Sequence, residues 1–141
     1  MPHELLLRHL NIVDPANGRE ERDGDLATCD GILVEPSALS PQAEVQDCRG
    51  LTATPGFIDL HVHLREPGQT YKDDLLTTTT AAVHGGFTTV LAMPNTVPAI
   101  DSLEHFAPLR ERLPLASVKV FQACALTKGR QGLELTEIPT L

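Results

Sequence analysis

Two histidines separated by a single residue, His61 and His63, lie in the run Phe57-Ile58-Asp59-Leu60-His61-Val62-His63-Leu64. Side chains at i and i+2 of a β-strand point to the same face with Cα atoms about 6.5 to 7 Å apart, so both imidazoles can reach one ion. A metal ion would also offset the cost of desolvating two polar rings in an otherwise apolar strand, and would fix their tautomers. Without an ion the pair reads as two hydrogen-bonded core histidines. Asp59 falls on the same face one pleat earlier and is a candidate for support behind the pair. Arg65 keeps that parity just past the strand, where its planar guanidinium could grip a carboxylate beside the metal. Asn95, in Met93-Pro94-Asn95-Thr96, offers one amide acceptor and two donors. His84, placed before Gly85, suits a helix C-terminus. His3, His9 and His105 show no ligand-like spacing.

The elements that must position these residues are legible in the hydrophobic pattern, which gives an α/β chain. Residues 57–64 form a nearly continuous apolar run with few polar interruptions, the pattern of a parallel strand buried on both faces. Residues 72–84 read as a helix with Asp73 and Asp74 in its first turn, ended by Gly85-Gly86. The Thr77 to Thr80 run weakens that helix on propensity. Residues 87–93 give a second strand. Asp101 is the expected cap of a helix whose apolar face carries Leu103, Phe106, Leu109 and Leu113. Residues 117–123 give a third strand, and the remainder to Leu141 carries loop residues and the start of a helix. The alternation predicts right-handed parallel units, and in parallel barrels the loops at the C-terminal strand ends carry the ligand site. Before Pro55-Gly56 the pattern differs. Short apolar runs at residues 5–7, 12–13 and 32–34, at Val45 and at Leu51, broken by Asp14-Pro15-Ala16-Asn17-Gly18, Asp23-Gly24-Asp25 and Asp30-Gly31, predict small antiparallel strands. The expected division is therefore 1–54 and 55–141.

Composition restricts the function classes. In 141 residues, 19 acidic against 11 basic side chains give a net charge of -8, so no basic face exists to neutralise a nucleic-acid backbone. Apolar runs fall far short of the roughly 20 residues that span a bilayer, and the start Met-Pro-His-Glu lacks the marks of a signal peptide. A cytoplasmic protein is expected, without nucleic-acid or membrane partners. Cys29, Cys48 and Cys124 are too widely spaced for a Cys-x-x-Cys metal knuckle and read as reduced thiols.

The segments Gly56-Phe57-Ile58-Asp59-Leu60-His61-Val62-His63-Leu64-Arg65-Glu66-Pro67-Gly68 and Met93-Pro94-Asn95-Thr96 closely resemble the dihydroorotase family of the amidohydrolase superfamily. Thr127-Lys128-Gly129 also fits that family's usual third-strand loop. The resemblance implies that residues 1–54 form part of a small β-sandwich. Residues 55–141 would then supply about three of the eight strands of a (β/α)8 barrel, which needs about 200 to 250 residues. It further implies that His61 and His63 are zinc ligands in a site of one or two Zn2+ ions, and that Arg65 and Asn95 hold the substrate carboxylate. The implied reaction interconverts N-carbamoyl-L-aspartate and (S)-dihydroorotate in de novo pyrimidine (UMP) synthesis. The family's remaining ligands and its catalytic aspartate would lie beyond Leu141, so no catalytic residue is expected within the chain, which is expected to be an incomplete portion inactive by itself. Implied partners are the small-molecule substrate and either further copies of the chain or aspartate carbamoyltransferase. Two other readings stand beside this one: a non-catalytic structural partner of aspartate carbamoyltransferase, and an allantoinase-like or hydantoinase-like hydrolase. Arg65 argues against the latter, because rings without the carboxylate give that side chain nothing to hold.

Overall fold

A computed structural model describes residues 2–137. It divides into two compact units, Met1–Pro55 and Gly56–Leu141.

The first unit is one five-stranded sheet. Strands β1 (Glu4–Asp14) and β2 (Arg19–Cys29) pair antiparallel. A 3-10 turn over Pro15–Asn17 joins them, with the Asp14 carboxylate accepting from the Asn17 N–H and Gly18 at φ 64. Strand β3 (Ile32–Val34) folds back on β2 through Asp30 and Gly31, whose φ values of 50 and 78 are those of the expected hairpin pair. Strands β4 (Glu44–Asp47) and β5 (Thr52–Ala53) both pair with β1 in parallel, so the expectation of antiparallel strands throughout is corrected. Asp23-Gly24-Asp25 also proves not to separate strands. His9 and Asp23 adopt φ 63 and 60, and the β1–β2 register shifts between Leu7 and Leu10 and again before Ile12, so the irregular residues bulge a continuous ribbon without ending it. Contacts from the His9 ring to the Asp23 carboxylate at 2.7 Å and from the His9 N–H to Asp25 at 3.2 Å hold the bulge. Leu10, Ile12 and Cys48 form this unit's buried cluster. Its strands make a single sheet among the described residues.

The second unit alternates β6 (Phe57–Val62), α1 (Leu75–His84), β7 (Phe87–Ala92), α2 (Leu103–Arg112) and β8 (Lys119–Gln122). The strands are parallel in the order β6-β7-β8. Helix α1 starts three residues later than its composition suggests, because Asp74 is the cap: its carboxylate accepts from the Thr77 N–H while the Thr77 hydroxyl answers the Asp74 N–H. The threonine run is accommodated by such bonds, Thr79 donating to the Leu75 carbonyl at 2.7 Å from a fully buried position. Helix α2 is capped by Ser102, which accepts from the His105 N–H. The expected cap, Asp101, instead accepts from the Gly129 N–H at 2.6 Å and meets the His105 ring at 2.7 Å. Toward the C-terminus the chain makes a 3-10 turn over Lys128–Arg130 and an isolated bridge from Thr127 to Leu135. The helix start expected toward Leu141 falls in part on residues 138–141, outside the described residues.

Leu64, Leu75, Ala92 and Leu109 form the core between sheet and helices, with Val62, Phe106, Leu113 and Val120 against them. Leu103, expected on that face, is exposed. Strand β6 was expected to be buried on both faces. Among the described residues it is the sheet edge, and Ile58 and Leu60 are 61% and 68% exposed.

Candidate active site

The β6–β7 register shifts twice, first with an extra residue on β7 between Phe57 and Ile58 and then with one on β6 between Asp59 and Val62. Asp59 pairs with Val90 and Val62 with Ala92, three steps against two, so a bulge interrupts the alternation just before His61 and His63. The parity expected to put Asp59 on the face of His61 is therefore broken. The Asp59 carboxylate accepts from the main-chain N–H of His61 at 2.9 Å, so it supports the bulged backbone and not an imidazole. Beyond Val62 the sheet pairing continues through the Met93 N–H to the Val62 carbonyl at 2.8 Å. That bond sets the loops after β6 and β7 side by side.

The two imidazoles lie edge to face, with centroids 5.2 Å apart and planes at 72°. His61 is exposed and His63 half-buried. His63 Nδ1 lies 2.7 Å from Asn95 Oδ1, so Nδ1 donates to the amide oxygen and Nε2 keeps its lone pair for a ligand. The structure thus brings together His61 on β6, His63 just past its end and Asn95 on the loop after β7. Among the described residues no third His, Cys, Asp or Glu joins them in a group able to hold a metal. The donor chemistry fits zinc, for which the two imidazoles would be two of the roughly three protein ligands that a catalytic zinc uses.

Arg65 follows at φ 63, a left-handed conformation that costs about 1 to 2 kcal/mol for a residue with a Cβ. The turn is closed by the Gln69 N–H on the Arg65 carbonyl at 2.9 Å. Arg65 is half-buried and forms no ion pair among the described residues, so its guanidinium is free to meet an anion. Glu66, quoted in the sequence motif without a role, proves central to this loop. Its buried carboxylate accepts from the Leu75 N–H, the first of α1, at 3.1 Å and pairs with Arg112 at the end of α2. No local signal marks a contact spanning 46 residues. The loop also requires Gly68, at φ 84, because a Cβ there would lie 1.7 Å from the Val97 carbonyl oxygen. The Val97 N–H donates to the Pro67 carbonyl at 3.2 Å, and the Ala125 N–H reaches the Ile100 carbonyl at 2.7 Å. All three post-strand loops are therefore tied by main-chain bonds, a rigid support for the side chains they carry.

Away from this site, the Gly129 N–H and then His105 hold the Asp101 carboxyl below the ordinary carboxylate range, against some desolvation. Burial and then Asp101 push the Cys124 thiol up, which suits an inert thiol and not a nucleophile. Cys29, Cys48 and Cys124 are all free.

The family described as Dihydro-orotase-like matches residues 50–141. The chain belongs to this family. Dihydroorotases from Sulfurihydrogenibium sp. (strain YO3AOP1), Aquifex aeolicus (strain VF5) and Elusimicrobium minutum (strain Pei191) are 41%, 37% and 43% identical to it, covering 97%, 98% and 98% of this chain and 33%, 33% and 32% of their own lengths. The chain thus spans about a third of the length of the curated relatives it matches. Among solved structures, an L-hydantoinase (dihydropyrimidinase) from Arthrobacter aurescens aligns with a TM-score of 0.73 at 19% identity, over 87% of this chain and 28% of its own. A D-hydantoinase aligns at 0.70 and 24%, over 88% and 27%. A dihydroorotase aligns at 0.62 and 19%, over 90% and 32%. At these identities the structural likeness speaks to the fold, an α/β arrangement shared with hydantoinases and dihydroorotase. No helix among the described residues is long and apolar enough to cross a membrane.

Proposed function

We propose that this chain provides the first part of a zinc-dependent dihydroorotase, a cyclic amide hydrolase interconverting (S)-dihydroorotate and N-carbamoyl-L-aspartate in de novo pyrimidine synthesis. In this reading residues 55–141 are the opening strand-helix units of a (β/α)8 barrel, working in the cytoplasm within a homo-oligomer or an assembly with aspartate carbamoyltransferase. The observation that carries it is the meeting of His63 with Asn95 at 2.7 Å, which joins a metal-ligating residue type to an amide one loop away from an unpaired arginine. That combination suits a small anionic substrate held beside a metal, and the relatives named above are dihydroorotases.

In the hydrolytic direction water adds to the ring amide carbonyl, the ring C–N bond breaks, and the departing nitrogen takes a proton to become the ureido NH2. One or two zinc ions held by His61, His63 and ligands outside this chain would polarise that carbonyl and acidify the attacking water. Arg65 binds the ring carboxylate through its two-pronged guanidinium, and Asn95 Nδ2 donates to the same group. Glu66 and Gly68 hold the Arg65 turn in place. The catalytic acid-base group is not assigned to any residue of this chain.

The test uses the full-length protein that carries this chain. It should hold zinc after dialysis and open dihydroorotate, and replacing both His61 and His63 with alanine should remove most of the zinc and essentially all turnover. Full metal content in the double variant would overturn the ligand assignment.

A further inference from the structure

We infer that Asn95 is the positioning residue of His63 and not only a contact for the substrate, so that one amide group joins the metal ligand to the substrate carboxylate. The inference rests on the function proposed above and deepens it. An amide has two chemically different ends. The oxygen of Asn95 is 2.7 Å from His63 Nδ1, which selects the tautomer with the proton on Nδ1 and leaves Nε2 as the ligating atom. The nitrogen of the same group carries two donors that accept nothing, and so suits an anion. His63 lies just beyond the end of β6, where no strand pairing fixes its ring. Asn95 is itself held, since its loop is tied back by the Ile100 N–H on the Pro94 carbonyl and by the Val97 N–H on the Pro67 carbonyl. The buried neighbour Thr96 turns its hydroxyl to the Pro98 carbonyl at 2.7 Å. An amide on a tethered loop therefore orients the imidazole that follows the last residue of β6.

The arrangement separates two properties that a single substitution to an apolar residue would confuse. Asn95→Asp keeps an oxygen for Nδ1 and removes the donors, whereas Asn95→Leu removes both. In the full-length protein, stripped of metal at about pH 8 so that free imidazole is neutral, the nitrogen chemical shifts of labelled histidine should show His63 protonated on Nδ1. Asn95→Asp should retain that signature and a zinc Kd close to wild type, while raising KM for dihydroorotate. Asn95→Leu should lose the signature and weaken the zinc Kd by about 10- to 100-fold, the usual consequence of losing an outer hydrogen bond to a ligand. A wild-type His63 protonated on Nε2, or a folded Leu variant with unchanged tautomer and zinc Kd, would overturn the inference. Should the Leu variant not fold, the Asp variant still decides, because a weakened zinc Kd there contradicts the proposed role. Failure of the zinc reading is recognised separately: the wild-type protein would then bind no zinc whichever nitrogen carries the proton.

Discussion

His61 and His63 share a motif but stand in unlike surroundings, the first exposed and the second half-buried against Asn95. On the proposed function, Arg65 is the residue on which substrate choice would turn. Arg65→Met should lower kcat/KM for dihydroorotate by about 3 kcal/mol, roughly a hundredfold or more, because a charge-assisted bidentate pair is lost while the carboxylate must still be desolvated. Arg65→Lys should recover only part of this, since an ammonium cannot reproduce the planar fork. Steady-state kinetics of the two variants check both statements. These candidates were readable from spacing and residue type, since His-x-His and the arginine two places on need no tertiary knowledge. Asp59 was readable only as to type. Its parity with His61 assumed an unbroken strand, and the bulge that redirects it to the His61 N–H depends on pairing with β7, which no local pattern records.

At the scale of elements, the strand-helix order of the second unit was legible because each segment carries its own period and stop. Boundaries were less so, because they depend on which polar side chain captures the first free N–H groups: Asp74, so that α1 opens at Leu75 and not at Lys72, and Ser102 in place of Asp101 for α2. Strand β2 was missed because Arg19, Glu20, Glu21 and Arg22 are exposed and give no apolar alternation. The loop after β6 yields two stability predictions. Gly68→Ala should cost more than about 2 kcal/mol, since the positive φ alone accounts for about 1 to 2 and the new Cβ strikes main chain. Glu66→Ala should cost about 2 kcal/mol, below the range for a fully buried pair because Arg112 is 38% exposed. Denaturant melts of the full-length protein measure both.

The Asp101 latch gives a pH signature at the same scale. Its carboxyl is held below its ordinary value of 3.8, first by the Gly129 N–H. A group whose folded value is depressed stabilises the fold above the unfolded value and loses that contribution as pH falls through the folded one. The Tm advantage of wild type over Asp101→Asn should thus be present above 3.8 and shrink as pH falls below it. A difference that grows on acidification would contradict the latch.

Considered as a whole molecule, the second unit covers one face of its sheet with helices and leaves Phe57, Ile58, Leu60, Phe121, Leu126, Leu133 and Leu135 at least half exposed. Exposed apolar side chains in that number suit packing against further protein. The 141-residue chain by itself is accordingly expected to bind a hydrophobic dye, to self-associate in sedimentation, and to show no turnover of dihydroorotate with added zinc. The central claim, that the site recognises a cyclic amide bearing a carboxylate, is tested most directly by comparing kcat/KM of the full-length, zinc-loaded protein for dihydroorotate and for dihydrouracil, the same ring without the carboxylate. An Arg65 that binds the ring carboxylate gives a preference for dihydroorotate of roughly a hundredfold or more that collapses in Arg65→Met. Equal or better turnover of dihydrouracil, or a preference untouched by removing Arg65, would contradict it.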